Sequence, residues 1–418
     1  MKKKVYFKTF GCRTNIYDTQ LLKTYIKDHE IVQNESEAEV VVINSCTVTN
    51  GADSGLRAYI NSIKKNGVKV ILTGCGAVSK GKDFFDKKEI FGVLGASNKS
   101  KINQFISENK EFYDIGDLKF IDTKIVSDYE NHTKAFVKIQ EGCDFACSYC
   151  IIPSVRGKSR SVPSEEIIKQ IKLLAHNGYS EIVLTGTNIG SYGLKENISL
   201  GVLLQKIGKI NGIKRIRLGS LEPAQIDESF KEILNEPWLE KHLHIALQHT
   251  HEKMLRIMRR RSHTENDLAL FNELSQKGFA LGTDFIVAHP GESEEIWEEA
   301  LKNFKLFNLT HIHAFIFSPR DGTYSASMNE RINGEIAKER LNILKNIVAK
   351  NNFEFRKQQN EKLEILVESK KNEFYEGYDQ FFNKIKIKTN QDISKQWILL
   401  EEYDRHYEYN FVSFDDEK

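Results

Sequence analysis

The sequence predicts an α/β protein in three parts: an N-terminal parallel α/β domain over 1–108, a central partial (β/α)6 barrel over 130–358, and a small β-rich module of OB-like type over 360–418. Three observations carry that reading. Apolar β-rich runs alternate with amphipathic helical patterns through about residue 320, as parallel sheets covered by helices require. From 361 the alternation gives way to short strands without helices between them. All six cysteines lie between 12 and 150 and all six prolines between 153 and 319, so composition changes where the fold is expected to change.

In the first part VYFKTF precedes a helix near 15–28, EVVVINS precedes one near 53–66, and KVILTG leads into a helical or loop region to about 90, before VLGAS. The unbroken run VVVIN suits a strand buried on both faces. Cys12, Cys46 and Cys75 each follow one of these strands, at the carboxyl end where open α/β sheets gather ligand residues. A buried small hydrophobe explains any one of them; three such placements point to one site. Residues 106–133 are polar and aperiodic, and read as a linker or an irregular excursion.

The central part repeats strand and helix: AFVKIQEG, EIVLTGTNIG, IKRIRLGS, HLHIALQ, GTDFIVAHPG and HIHAFIFSP, with helices expected near 164–177, 200–210, 224–235, 264–277 and 293–307. Six such units predict an incomplete parallel barrel, with a doubly wound open sheet as the alternative that periodicity does not separate. Several strands end in small or polar residues, among them Gly186 to Asn188, Ser220 to Glu222 and His289 to Glu292, which fit ligand approach or ordinary turns equally. A helix near 335–352 connects to LEILVES, FYEGY, NKIKIKT and KQWILLEEY, the strands of the last part.

Composition narrows the functional classes. With 418 residues and 40% hydrophobic content the chain can bury a large core. A net charge of +2 excludes a globally basic nucleic-acid coat, so any RNA contact must be local. No apolar run approaches the roughly 18 residues of a membrane span, and MKKKVYFKTFGC runs into strand pattern where a signal peptide would be apolar; a cytoplasmic protein without membrane association is expected. Six cysteines are too sparse for a disulfide scaffold and are expected as thiols or metal ligands.

The strongest chemical signal is GCDFACSYC, where Cys143, Cys147 and Cys150 form C-x3-C-x2-C directly after the first barrel strand. Three thiolates without a nearby fourth leave a metal position open, whereas structural zinc wants a closed set of four. A cubane iron-sulfur cluster held by three cysteines keeps one iron free for a cofactor. Zinc, or a redox pair at Cys147 and Cys150, needs neither Cys143 nor the strand-end setting.

On these residues the chain resembles the radical S-adenosylmethionine (SAM) superfamily, with Tyr149 as the aromatic before the last cysteine. The resemblance implies that SAM chelates the open iron and is cleaved to methionine and a 5′-deoxyadenosyl radical, chemistry that side chains cannot supply. It narrows to the methylthiotransferases through FGCRTN, NSCTVT, LTGC, GCDFACSYCIIPSVRG, LTGTNIGSYG, SLEP and HPGE, together with the three-part layout. That family implies two 4Fe-4S clusters, one on Cys143, Cys147 and Cys150 for the radical and an auxiliary one on Cys12, Cys46 and Cys75 for sulfur insertion. It implies SAM contacts at Tyr149, Gly186, Asn188, Ser220, Glu222 and Gln248, each of which ordinary structural duty also explains.

GCRTN, QEGCDFACSYCIIPSVRGKSRS and RDGT most resemble the MtaB type, which modifies N6-threonylcarbamoyladenosine beside the anticodon of tRNA at C2. Sister types act on isopentenyladenosine or on a ribosomal-protein aspartate, and a non-catalytic iron-sulfur RNA-binding or electron-transfer protein is the alternative from another class. The implied partners are the anticodon stem-loop of tRNA, an electron donor such as flavodoxin or ferredoxin, and a sulfur source. Arg156, Lys158 and Arg160, and the run Arg259, Arg260 and Arg261, are candidate phosphate contacts or a solvated basic face. The last part resembles a TRAM domain, yet 361–418 hold nine Lys and Arg against fourteen Asp and Glu; RNA binding there needs Lys384, Lys386 and Lys388 on one strand face. Two departures from the family touch the implied site: Ala246-Leu247-Gln248-His249-Thr250 stands where PLQSG is usual, and Ala288-His289 replaces a glycine and an aromatic. The twelve histidines show no ligand spacing and read as structural residues.

Overall fold

A computed structural model describes residues 2–65, 67–130, 132–196 and 198–414. The first domain comprises β1 (Lys4–Thr9), α1 (Arg13–Tyr25), β2 (Glu30–Ile31), β3 (Val40–Ser45), α2 (Asn50–Lys64), β4 (Lys69–Gly74), α3 (Cys75–Ser79), α4 (Gly81–Asp86), β5 (Gly92–Leu94), α5 (Ile102–Glu108) and β6 (Phe112–Asp114). Its parallel sheet runs β2-β1-β3-β4-β5-β6. All six residues of β3 are buried, which explains the run of valines with no polar alternation. Chain order reverses at the β1/β3 boundary, and the helices leaving those strands part to opposite faces; the crevice so formed is where Cys12 and Cys46 emerge.

Residues 115–130 carry no strand or helix, yet they are not a free linker. Val126 and Tyr129 are fully buried in the barrel core, and Tyr129 N–H donates to the Tyr179 hydroxyl at 2.8 Å. The segment lacks periodicity because it is a packed covering strap with no ladder of its own.

The barrel contains β7 (Ala135–Glu141), α6 (Ile152–Arg156), β8 (Arg160–Ser161), α7 (Ser164–His176), β9 (Glu181–Gly186), α8 (Leu200–Gly208), β10 (Arg215–Leu218), α9 (Glu228–Lys231), β11 (His242–His244), α10 (Glu252–Ile257), α11 (Thr264–Gln276), β12 (Ala280–Val287), α12 (Glu294–Phe304), β13 (His311–Ile316), α13 (Tyr324–Ser327) and α14 (Gly334–Gln358). The parallel sets β7-β9-β10 and β11-β12-β13 meet through lone bridges, Ile216 to Leu239 and Leu221 to Ile245. Strand order therefore follows chain order without reversal, so right-handed crossovers put every helix on one side and curl the sheet. That selects the partial barrel over the doubly wound sheet. Helix α7 shows how the sequence specifies such a layer: Glu165 and Glu166 sit in its first turn, and Ile167, Ile171 and Leu174 form the buried stripe. The helix expected near 224–235 is broken instead. Pro223 opens a 3-10 turn, and Asp227 then caps α9 by accepting from Phe230 N–H at 2.9 Å.

The last module has β14 (Leu363–Lys371), β15 (Phe374–Tyr378), β16 (Lys384–Lys388), β17 (Trp397–Leu400), β18 (Asp404–Arg405) and β19 (Asn410–Ser413), ordered β17-β14-β15-β16-β19-β18. It covers the amino ends of the barrel strands, opposite the cysteines. Buried Arg217 lies between Glu181 and Glu240, both 2.8 Å away, and donates to Asp379 O at 2.9 Å. Lys241 N–H donates to Gln380 O at 2.8 Å, and Phe382 stacks on His242 with ring centroids 5.2 Å apart. Arg217→Met leaves buried Glu240 without its ion-pair partner and Glu181 with Arg215 alone, at 3.4 Å, at a cost of about 3–5 kcal/mol. Thermal unfolding should show a lowered Tm and limited proteolysis should release the C-terminal module, while Lys362→Ala, at an exposed pair with Glu401, should change stability by less than about 1 kcal/mol.

Candidate active site

The loop after β7 turns on Gly142, whose φ is 78° and where a Cβ would fall 2.0 Å from Lys158 O, so only glycine fits. Cys143 N–H donates to Gly157 O at 3.0 Å and Cys150 N–H to Cys147 O at 3.1 Å, which folds the three thiols around one cavity of about 360 Å3. The same cavity is lined by Tyr149, Asn188, Ser220, Glu222, Gln248 and Arg260, and by Val48 and Thr49 from the first domain. Gly186 ends β9 beside it, where a Cβ would lie 2.7 Å from Gln140 O. Of the residues proposed from sequence for the cofactor, all but Gly186 face this space.

Two polar atoms there are left over. Asn188 Oδ1 and Arg260 Nε are buried without a hydrogen-bond partner. Each side chain also directs one N–H group at sulfur: Asn188 Nδ2 lies 3.6 Å from Cys143 Sγ, and Arg260 Nη1 lies 3.7 Å from Cys147 Sγ. Arg260 also ion-pairs with Glu222 and donates to Ala246 O at 2.6 Å. Burial pushes the Cys150 thiol up to about 12 and raises Cys147 against the pull of Arg260. Such thiols stay protonated at neutral pH until a metal centre supplies the compensating charge. Unpartnered polar atoms and an all-sulfur donor set fit a polar cofactor on a thiolate-held cluster.

The second trio stands at the carboxyl ends of β1, β3 and β4. A Cβ on Gly11, φ 102°, would fall 2.5 Å from Cys46 Cβ, and Gly74 and Gly76 lie equally close against Ser45. These glycines let three loops meet. Cys12 is exposed, Cys46 half-buried and Cys75 buried; burial pushes Cys46 up to about 11, and Cys75 and Cys12 add to it.

Arg156, expected at an RNA phosphate, is 2% exposed and lies against Cys75 of the second trio. Its Nε donates to Cys75 Sγ at 3.0 Å, Nη1 to Asp18 at 2.8 Å and Glu141 at 2.7 Å, and Nη2 to Asn15 Oδ1 at 2.7 Å. Lys138 joins the same two carboxylates at 2.8 and 3.0 Å, and Lys99 lies 3.4 Å from Asp18. Three buried cations thus meet two buried carboxylates, with Arg160 a further 3.7 Å from Glu141, so the cluster holds surplus positive charge that a thiolate at Cys75 offsets. The donor set fits a metal-bound sulfur at that position.

Two further corrections concern RNA. Arg260 is buried in its pair with Glu222, and Arg160 spends its donors on the carbonyls of Phe120, Arg156 and Lys158. Lys158, Arg259 and Arg261 remain exposed; Arg259 lies over Tyr324 and Arg261 over Phe145. Lys384, Lys386 and Lys388 do alternate outward from buried Ile385 and Ile387, but Lys384 pairs with Glu376 at 2.7 Å and Lys388 faces Glu373 at 3.7 Å. The departure at Ala288-His289 resolves structurally. Ala288 holds φ 59°, a conformation glycine adopts without strain, and His289 fills the aromatic place with both ring nitrogens bonded, to Pro290 O and Ser325 Oγ. Sequence reasoning missed Asp18, Lys138 and Glu141, although Lys138 inside AFVKIQE was a visible signal: a lysine in a two-face-buried strand needs a partner. It placed Arg320 only within a motif. That side chain donates to Asp53 Oδ2 at 2.7 Å and Thr47 O at 3.1 Å, fastening the Cys46 loop to the end of the barrel.

Residues 137–304 match the radical SAM superfamily, and residues 4–95 match the uncharacterized protein family UPF0004. A Helicobacter pylori (strain J99) protein carried under the methylthiotransferase name is 48% identical over 96% of this chain and 97% of its own. The threonylcarbamoyladenosine tRNA methylthiotransferase MtaB of Aquifex aeolicus is 36% identical over 87% of this chain and 92% of its own. The tRNA-2-methylthio-N(6)-dimethylallyladenosine synthase of a Sulfurovum species is 33% identical over 81% and 82%. Among solved structures, the radical SAM methyltransferase TsrM of Kitasatospora setae superposes with a TM-score of 0.61 at 14% identity, covering 78% of this chain and 77% of that one.

Burial alone would raise Asp18 and Glu141, but Lys138 foremost, with Lys99 and Arg156, holds both below the ordinary carboxylate range. Groups depressed in the folded state contribute stability that is complete above their unfolded pKa and is lost as pH falls through the folded one. Asp18→Asn should therefore lower stability by about 3–5 kcal/mol at neutral pH. The gap from wild type should narrow only as the pH drops below the usual carboxylate range, read by circular dichroism in an acid titration.

Proposed function

The chain belongs to the radical SAM methylthiotransferases, and from that membership we propose that it converts N6-threonylcarbamoyladenosine at position 37 of tRNA to its 2-methylthio derivative. Membership implies SAM, a 4Fe-4S cluster and a second cluster. We assign the first cluster to Cys143, Cys147 and Cys150 and the auxiliary one to Cys12, Cys46 and Cys75. When bound, these groups supply a hydrogen-abstracting radical and a sulfur source.

The observation that carries the assignment is the shared chamber: Val48 and Thr49, just past Cys46, line the cavity that Cys143, Cys147 and Cys150 enclose. The protein's own work there is positioning and charge control. Asn188 and Arg260 direct N–H groups at the sulfurs of Cys143 and Cys147. Arg260 holds Glu222 in place, so the acid is oriented without being free to repel an anionic cofactor group. Arg320, with Ser318 Oγ accepting from Asn50 N–H at 2.9 Å, keeps the Cys46 loop on the cavity rim. Arg156 compensates the charge of a thiolate at Cys75.

The threonylcarbamoyl substrate is favoured by the greater identity and coverage of the MtaB relative than of the dimethylallyladenosine synthase. Exposed Lys158, Arg259 and Arg261, close to the cysteine loop, are the tRNA phosphate contacts we assign; the acidic last module lies at the other end of the barrel. An electron donor of the flavodoxin or ferredoxin class completes the reaction.

Nucleoside mass analysis of tRNA from a deletion strain should lack the 2-methylthio form of threonylcarbamoyladenosine; its persistence alongside loss of the 2-methylthio isopentenyl form would transfer the assignment to the sister substrate. In reconstituted protein Cys147→Ala should abolish SAM cleavage, whereas Cys46→Ala should retain cleavage and lose methylthiolation. Equal loss of both activities would refute the division of labour, and no cleavage by wild type would leave a non-catalytic iron-sulfur protein.

A further inference from the structure

The three strands β11, β12 and β13 carry a second constellation on the inner face of the barrel, separate from the cysteines. Asp284 stands opposite His313 in the β12–β13 ladder, and His244 stands opposite Gly282 in the β11–β12 ladder, so all three side chains leave the same face. His244 Nε2 lies 3.1 Å from Asp284 Oδ1, and His313 Nδ1 lies 3.4 Å from the same oxygen. The two rings stack with centroids 4.5 Å apart, and the three donor atoms all lie within 4.8 Å of one another. Gly282 permits this packing, since a Cβ there would fall 2.8 Å from His244 Nδ1.

Two observations point beyond a mutual hydrogen bond. His244 Nε2 is buried and has no partner of acceptable hydrogen-bond geometry, although it is aimed at the carboxylate. Among the described residues no lysine or arginine pairs with Asp284; its ionic neighbours are the two imidazoles. A largely buried carboxylate with no permanent cation beside it is short of counter-charge. A divalent ion provides that charge and gives His244 Nε2 the partner it otherwise lacks.

We propose that His244, Asp284 and His313 bind one divalent transition-metal ion of the zinc class. Two imidazoles and one carboxylate are a recurrent donor set for zinc and for ferrous iron, and three protein ligands leave at least one position open. Entry is available because His313 is 62% exposed on the edge strand. Asp284 also lines the cavity that the cysteines enclose, so the open position is placed to take an oxygen donor, a carboxylate or phosphate first, from a ligand in that cavity. The site is read without reference to the methylthiolation reaction and stands or falls apart from it.

The test uses full-length protein reconstituted anaerobically with both clusters, dialysed against a chelator and titrated with zinc in competition with a chromophoric chelator. Elemental analysis counts zinc and iron in the same samples. Wild type should take up one zinc per chain beyond its iron. Asp284→Asn and His313→Ala should each weaken zinc binding more than about 100-fold, beyond what losing a hydrogen bond to a ligand costs. Iron content and cluster absorbance should match wild type in both variants, and His313→Ala, at an exposed position, controls for misfolding. No zinc uptake by wild type, or equal uptake by wild type and both variants, would overturn the proposal and leave the imidazoles as packing and polar partners of Asp284 alone.

Discussion

The architecture depends on burying charge between two domains. Arg156, carried by the cysteine loop of the barrel, reaches Asp18 and Asn15 on the first helix of the neighbouring domain and Cys75 on its fourth strand's edge. Desolvating three cations and two carboxylates is unfavourable unless each finds its partner, so the geometry admits little play. A loose apolar contact would hold the domains together as well, but would not fix their register. The ionic lattice does, and it sets the sulfur-bearing loops of one domain over the cavity of the other.

The three-part layout and the meeting of the cysteines are legible in the sequence for a simple reason. Strands such as VVVIN and AFVKIQE are buried on both faces and read as unbroken apolar runs, and cysteines at their carboxyl ends converge because parallel strands end together. Strands of two or three residues, such as those at 30–31, 112–114 and 160–161, leave no periodicity to read. The helix expected near 224–235 fails because Pro223 and Asp227 each impose a start within five residues.

Charge is legible as composition and not as placement. The runs around 156–160 and 259–261 look alike as basic clusters, yet in each one member is drawn inward. Arg156 meets an acid 138 positions away and Arg260 one 38 positions away, separations that no local pattern encodes. Lysines 384, 386 and 388 do share a face, as alternation requires, but acids on neighbouring β15 and in the turn before it occupy two of them. Residues that look like surface electrostatics are in part the protein's internal scaffolding.

The seam between the third and fourth barrel strands is the least hydrogen-bonded line of the barrel wall. Only lone bridges stitch it, while the Arg217 to Glu240 pair and the turn at Asp379 and Gln380 brace it at one mouth and the Arg260 to Glu222 pair braces it at the other. The C-terminal module is thereby a buckle on an incomplete hoop. A chain shortened before it would lose the tension that keeps the two half-sheets curved, so the chamber would slacken even though every cysteine remained in place.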